Sequence, residues 1–96
     1  MPVKIKTSIP GPKSIMLTER RANSVAQGHG TVCNVYIEKA EGSLLKDIDG
    51  NTFIDFAGGI GTMNVGHSHP RILKRTKNQL DKYAHICFSV TPYESY

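Results

Sequence analysis

The tripeptide Asp49-Gly50-Asn51 constrains this chain more than any other stretch. Strand-like residues flank it on both sides, residues 44–48 before it and 52–56 after it. Glycine accepts a positive φ without a Cβ clash, so the tripeptide closes an antiparallel hairpin. If those three residues form the loop, Ile48 faces Thr52, Lys46 faces Ile54 and Leu44 faces Phe56. Leu44, Ile54 and Phe56 then share one face of the sheet. Upstream, Val35 and Ile37 alternate with Tyr36 and Glu38, and Glu41-Gly42 marks another turn. A strand from about residue 32 therefore joins the hairpin, and the expected unit is a small three-stranded antiparallel meander.

Helices flank this sheet. Residues 1–11, with Pro2, Pro10 and Gly11, read as an extended arm. Pro12 suits the first position of a helix that runs to about Val25, stopped by Gly28-His29-Gly30. After the meander, residues 57–66 hold too many glycines for a helix or a regular strand and read as a loop. Ser68 or His69 caps a second helix with Pro70 in its first turn. Ile72, Leu73, Thr76, Leu80, Tyr83 and Ala84 fall on one side of it at helical spacing. Burial of Ile72, Leu73 and Leu80 would contribute about 1.5–3 kcal/mol each. Residues 86–90 look extended. Thr91-Pro92-Tyr93-Glu94 is a capping box, the signature of a helix start, yet only two residues follow. A helix of one turn has a costly nucleus and no propagation, so the expectation is a piece of a larger protein. The fold class is α+β: a helix, a three-stranded meander, a glycine-rich loop and a linking helix, with residues 12–96 forming one unit.

A chain of 96 residues buries about 60–65% of the surface its unfolded form exposes, which leaves little room for a deep pocket. The net charge of +4 owes part of its excess to Arg71, Lys74, Arg75, Lys77 and Lys82. These residues fit a solvated helix face, and neither nucleic acid nor a membrane is expected as a partner. Cys33 and Cys87 stand apart with no CxxC pattern, and no apolar leader or span is evident, which suits a cytoplasmic setting.

The residues that might carry chemistry do not assemble into a familiar site. Gly58-Gly59-Ile60-Gly61 follows a strand, but Asn64 stands where a G-x-G-x-x-G motif needs its last glycine. His67, His69, His85 and Cys87 lack the paired spacing of a zinc site, so no metal is expected. Asp47, Asp49 and Asp55 surround a hairpin and serve turn geometry. Ser89 has no partnering base.

The runs Asp47-Ile48-Asp49-Gly50-Asn51, Phe53-Ile54-Asp55-Phe56-Ala57-Gly58-Gly59-Ile60-Gly61 and Asn64-Val65-Gly66-His67-Ser68-His69-Pro70 resemble the start of class III aminotransferases. The opening Thr7-Ser8-Ile9-Pro10-Gly11-Pro12-Lys13-Ser14 and the close His85-Ile86-Cys87-Phe88 look most like the 4-aminobutyrate branch. The resemblance implies part of the small domain of a fold-type-I enzyme, homodimeric or larger, that uses pyridoxal 5'-phosphate to move an amino group. It places Ile60, Cys87 and Ser89 along the substrate approach. Ser89 departs from the glutamine of some relatives. The cofactor-holding lysine, its aspartate partner, the phosphate loop and the carboxylate-binding arginine have no counterpart in these 96 residues. No catalytic and no cofactor-binding residue is therefore assigned here, and the chain by itself is expected to be inactive and to need the rest of such a protein. Two alternatives follow from the same residues: a non-catalytic interaction module derived from the family, or an acetylornithine- or ornithine-type member.

Overall fold

Asp47 decides where the hairpin turns. In the computed structural model, which describes residues 2–94, strand β2 (Leu44–Asp47) pairs antiparallel with β3 (Thr52–Ile54). The register is Leu44↔Ile54, Leu45↔Phe53 and Lys46↔Thr52. Leu44 thus faces Ile54 rather than Phe56, and Lys46 faces Thr52 rather than Ile54, a correction to the three-residue loop expected from the tripeptide. The cause is local. The Asp47 carboxylate accepts hydrogen bonds from the amides of Asp49 (3.0 Å) and Asn51 (2.7 Å). The Asp47 amide donates to the Asn51 carbonyl at 3.0 Å. Asp47 and Asn51 therefore close the loop, and Ile48 falls inside it instead of pairing with Thr52.

Strand β1 (Ile37–Glu41) pairs antiparallel with β2, giving the sheet order β1-β2-β3. Residues 32–35 do not join it, and Val32 is fully exposed; Tyr36 extends it by one bond, its carbonyl accepting from Ile48 N at 3.0 Å. The amino-terminal arm lies on the far side of β3, where Lys4 and Thr52 exchange backbone hydrogen bonds of 3.0 and 2.7 Å.

Asn51 ties this arm to the hairpin. Its Oδ1 accepts from the amides of Lys6 (2.6 Å) and Thr7 (3.0 Å). Its Nδ2 donates to Thr7 Oγ1 (2.9 Å) and Asp47 Oδ2 (2.8 Å). Both donors and both acceptor positions of the amide are used.

Helix α1 (Pro12–Ser24) starts at the expected proline and has no cap from its own Gly11. Asp49 supplies the cap from the hairpin loop, with Oδ1 accepting from Lys13 N (2.7 Å) and Oδ2 from Ser14 N (2.9 Å). A Cβ on Gly11 would stand 2.3 Å from Asp49 Cγ, so glycine is what admits the carboxylate. Desolvation pushes the Asp49 carboxyl up, but the hydrogen bonds from Lys13 and Ser14 outweigh it and hold the group below its ordinary value. Asp49 thus does more than shape its turn: it satisfies two helix-end donors that would otherwise be orphaned.

Among the described residues the fully buried side chains are Ser14, Asp47 and Asn51, and no apolar side chain is buried. The faces expected to form a core are open. Phe56 is 92% exposed, Leu80 58% and Ile72 55%. Helix α3 (Pro70–Leu80) begins as expected at Pro70, but its apolar side meets no other helix or strand among the described residues. His69 occupies the N-cap position without a side-chain cap, and Ser68 instead donates to the Ala40 carbonyl at 2.9 Å. Residues 86–90 are not extended: Val90 N and Thr91 N both donate to the Cys87 carbonyl, forming a turn. Residues 91–94 build no helical turn of their own, and the two residues after Glu94 lie outside the described residues. The radius of gyration is 17.5 Å, against about 12–13 Å for a compact domain of this length. The accessible surface is 8041 Å², against about 5,500 Å² for a folded monomer of this mass. Polar bonds hold the parts of this chain together, and its apolar surface faces outward.

Candidate functional site

Residues 56–66 leave the sheet after β3 and return to it at His67. The outgoing end is fixed by Asp55 N, which donates to the Ser43 carbonyl at 2.8 Å. The returning end is fixed by His67, which exchanges backbone hydrogen bonds with Gly42 (2.9 and 2.8 Å). Both ends therefore stand on the β1–β2 turn. Their side chains meet: His67 Nε2 lies 2.6 Å from Asp55 Oδ2, with the two side chains 19% and 8% exposed. The other carboxylate oxygen of Asp55 accepts from the amides of Ala57 (3.0 Å) and Gly58 (2.9 Å). The His67 hydrogen bond first, then those amides, hold the Asp55 carboxyl below its ordinary value. An ionised carboxylate only accepts, so Nε2 of His67 carries the proton.

On this clasp sits α2 (Gly58–Gly61), a single turn. Gly58, Gly59, Ile60 and Gly61 all have positive φ. Gly61 N reaches the Ala57 carbonyl and Thr62 N the Gly58 carbonyl, so the turn winds left-handed. Three of its residues are glycine, which adopt that region without a Cβ clash. Ile60 is β-branched, and at φ 60° and ψ 55° it is strained, a cost of about 1–3 kcal/mol. Its side chain is 93% exposed. Packing among the described residues does not account for a strained isoleucine at the tip of a glycine turn.

The three residues named from the sequence lie in two turns, Ile60 in α2 and Cys87 and Ser89 in the turn that follows α3. The hydrogen bonds that build the α2 turn run within residues 55–63, whereas Cys87 and Ser89 lie in the separate turn after α3. Cys87 is exposed and unbonded to Cys33. A surface cavity of about 830 Å³ runs along α3 between Val65, His69, Ile72 and the cations Arg71, Lys74 and Arg75, and includes none of the three. His69 Nδ1 is buried there without a hydrogen-bond partner. Among the described residues no group of three His, Cys, Asp or Glu is placed to hold a metal ion. No helix of the described residues is long and apolar enough to cross a membrane. Reading the residues one at a time missed the Asp55–His67 pair, because Asp55 suited a turn and His67 a loop. The available signal was position: one acid and one imidazole bracket the glycine stretch.

The family model described as aminotransferase class-III matches residues 24–96. The chain belongs to the class III aminotransferase family. It is 42% identical over 93 residues to a 4-aminobutyrate aminotransferase of Mycobacterium bovis, covering 97% of this chain and 21% of that protein. It is 44% identical over 80 residues to a 5-aminovalerate aminotransferase of Pseudomonas aeruginosa, covering 83% and 19%. Among solved structures, an acetylornithine aminotransferase from Elizabethkingia anophelis superposes with a TM-score of 0.69 at 27% identity, over 76% of this chain and 19% of that one. The chain spans about a fifth of the length of these aminotransferases.

Class III aminotransferases depend on pyridoxal phosphate. That cofactor requires a lysine to hold it and an acidic partner for its ring nitrogen, and a nucleophilic lysine is activated by desolvation. All eight lysines of this chain are exposed. Lys39 and Lys46 face Glu41 and Glu38 at the sheet surface, and Lys74 lines a cavity with two arginines and no carboxylate. These residues do not fit the cofactor.

Proposed function

We propose that this chain is the amino-terminal part of the small domain of a pyridoxal-phosphate-dependent aminotransferase that moves the amino group of an ω-amino acid, 4-aminobutyrate foremost, to a 2-oxo acid. In this reading Ile60 lines the substrate approach, with Cys87 and Ser89 beside it once the remaining polypeptide is in place. The remainder also supplies the lysine and phosphate-binding groups, so the 96 residues alone hold no cofactor and turn nothing over. The enzyme is a cytoplasmic homodimer or a larger assembly.

The observation that carries this reading is the exposed, strained Ile60 on its clasped left-handed turn. The unpartnered His69 Nδ1 supports it from another side, since a buried nitrogen without a partner marks a surface that another segment completes. Relatives at 42% and 44% identity that act on 4-aminobutyrate and 5-aminovalerate point to ω-amino donors. A second reading, an ornithine- or acetylornithine-type enzyme, is favoured by the solved structures it superposes on.

Amino transfer by the full polypeptide, measured with 4-aminobutyrate, 5-aminovalerate and ornithine against a 2-oxo acid, separates them. The expected order places 4-aminobutyrate first, with no transfer by the 96-residue chain. A preference for ornithine selects the second reading. Turnover by the 96-residue chain alone contradicts both.

A further inference from the structure

We propose that Asp55 and His67 are positioning residues that set which length of ω-amino acid is preferred, by fixing where the α2 turn holds Ile60. The proposal rests on the reading of Ile60 as a substrate-lining residue. Three observations carry it. Both ends of the loop are bonded to Gly42 and Ser43 of the β1–β2 turn, so the loop has one base. The Asp55 carboxylate spans that base: one oxygen meets His67 Nε2 at 2.6 Å and the other meets the amides of Ala57 and Gly58, where the left-handed turn begins. Ile60 itself is 93% exposed, so packing among the described residues does little to fix its place. The position of its side chain is therefore transmitted through the carboxylate. Rotating that carboxylate, as loss of the imidazole would, shifts the two amides that start the turn.

The reach of the effect follows from what one apolar side chain can discriminate. One methylene in an apolar pocket is worth about 10- to 200-fold in kcat/KM. A hydrogen bond that positions such a group is expected to move that ratio less, by about 3- to 10-fold.

The experiment uses the full polypeptide with four variants: Ile60→Ala, His67→Ala, His67→Gln and Asp55→Asn. The readouts are kcat and KM for 4-aminobutyrate and 5-aminovalerate, and amide hydrogen exchange of residues 57–62. Ile60→Ala is expected to change the preference between the two donors by about 10-fold. His67→Ala is expected to change it in the same direction by about 3- to 10-fold, through KM rather than kcat. Exchange at residues 57–62 rises in His67→Ala, and not in Ile60→Ala. His67→Gln, whose amide can still donate to Asp55, restores both. If His67→Ala does not fold, Asp55→Asn makes the same test, since it keeps an acceptor for the two amides but loses the charge-assisted bond. A shift in Ile60→Ala with none in the clasp variants overturns the proposal and leaves the reading of Ile60 standing. No shift in any variant of an active enzyme overturns both. A wild-type polypeptide that transfers no amino group overturns the functional reading and the proposal with it.

Discussion

Heated by itself, the 96-residue chain is expected to lose its secondary structure without a cooperative transition, and to bind a hydrophobic dye before heating begins. A cooperative domain of this size would show an unfolding enthalpy of about 60–80 kcal/mol at its midpoint. That enthalpy comes with a packed interior, and this chain buries no apolar side chain among the described residues. Its surface of 8041 Å² leaves Ile15, Met16, Ile72, Leu80 and Phe56 open to solvent. Secondary structure held by local bonds with exposed apolar surface is the description of a molten state. Calorimetry and dye fluorescence at 25 °C check this. A sharp calorimetric peak with little dye binding would mean that the apolar faces find partners within the chain or in a second copy.

Asn51→Ala in the full polypeptide is expected to release the amino-terminal arm. Asn51 is fully buried and its side chain makes four hydrogen bonds. Alanine leaves the amides of Lys6 and Thr7 without an acceptor and Asp47 Oδ2 without its donor. Each buried unsatisfied group costs about 1–3 kcal/mol, so the local cost is about 3–5 kcal/mol, at the upper end for a point mutation. Opening of the arm is a local event. The appropriate readout is the protection of the Lys6 and Thr7 amides against hydrogen exchange, which is expected to fall by about 100- to 5,000-fold. A fall of less than about 5-fold would show that other contacts hold the arm and that the polar junction is incidental.

The features legible in the sequence are those set by neighbours along the chain. Pro12 and Pro70 mark helix starts because proline suits the first helical position whatever lies elsewhere. Gly50 marks the hairpin for the same kind of reason, with φ at +84°. What was not legible depends on residues distant in sequence or on partners. The register moved because Asp47 bonds to Asn51 across the loop. The cap of α1 comes from Asp49, thirty-odd residues away from the amides it meets. Ile-Cys-Phe-Ser-Val at residues 86–90 has strand-forming side chains but no strand beside it to pair with, and it turns instead. The apolar side of α3 was read from its period, but period states which residues seek burial, not what will cover them. The glycine loop was recognised as irregular. Its left-handed winding was not, because no local rule assigns a positive φ to an isoleucine. For the same reason Asp55 and His67 passed as ordinary loop residues until the structure put their side chains together.

In the function we propose, these residues present a shaped turn and an apolar face to an active site whose covalent chemistry lies elsewhere in the polypeptide. Borohydride reduction of the full polypeptide in the presence of pyridoxal phosphate, followed by peptide mapping, tests it most directly. The account predicts one modified lysine, outside residues 1–96. Stoichiometric modification of any of the eight lysines within them, Lys74 beside the α3 cavity included, would contradict it.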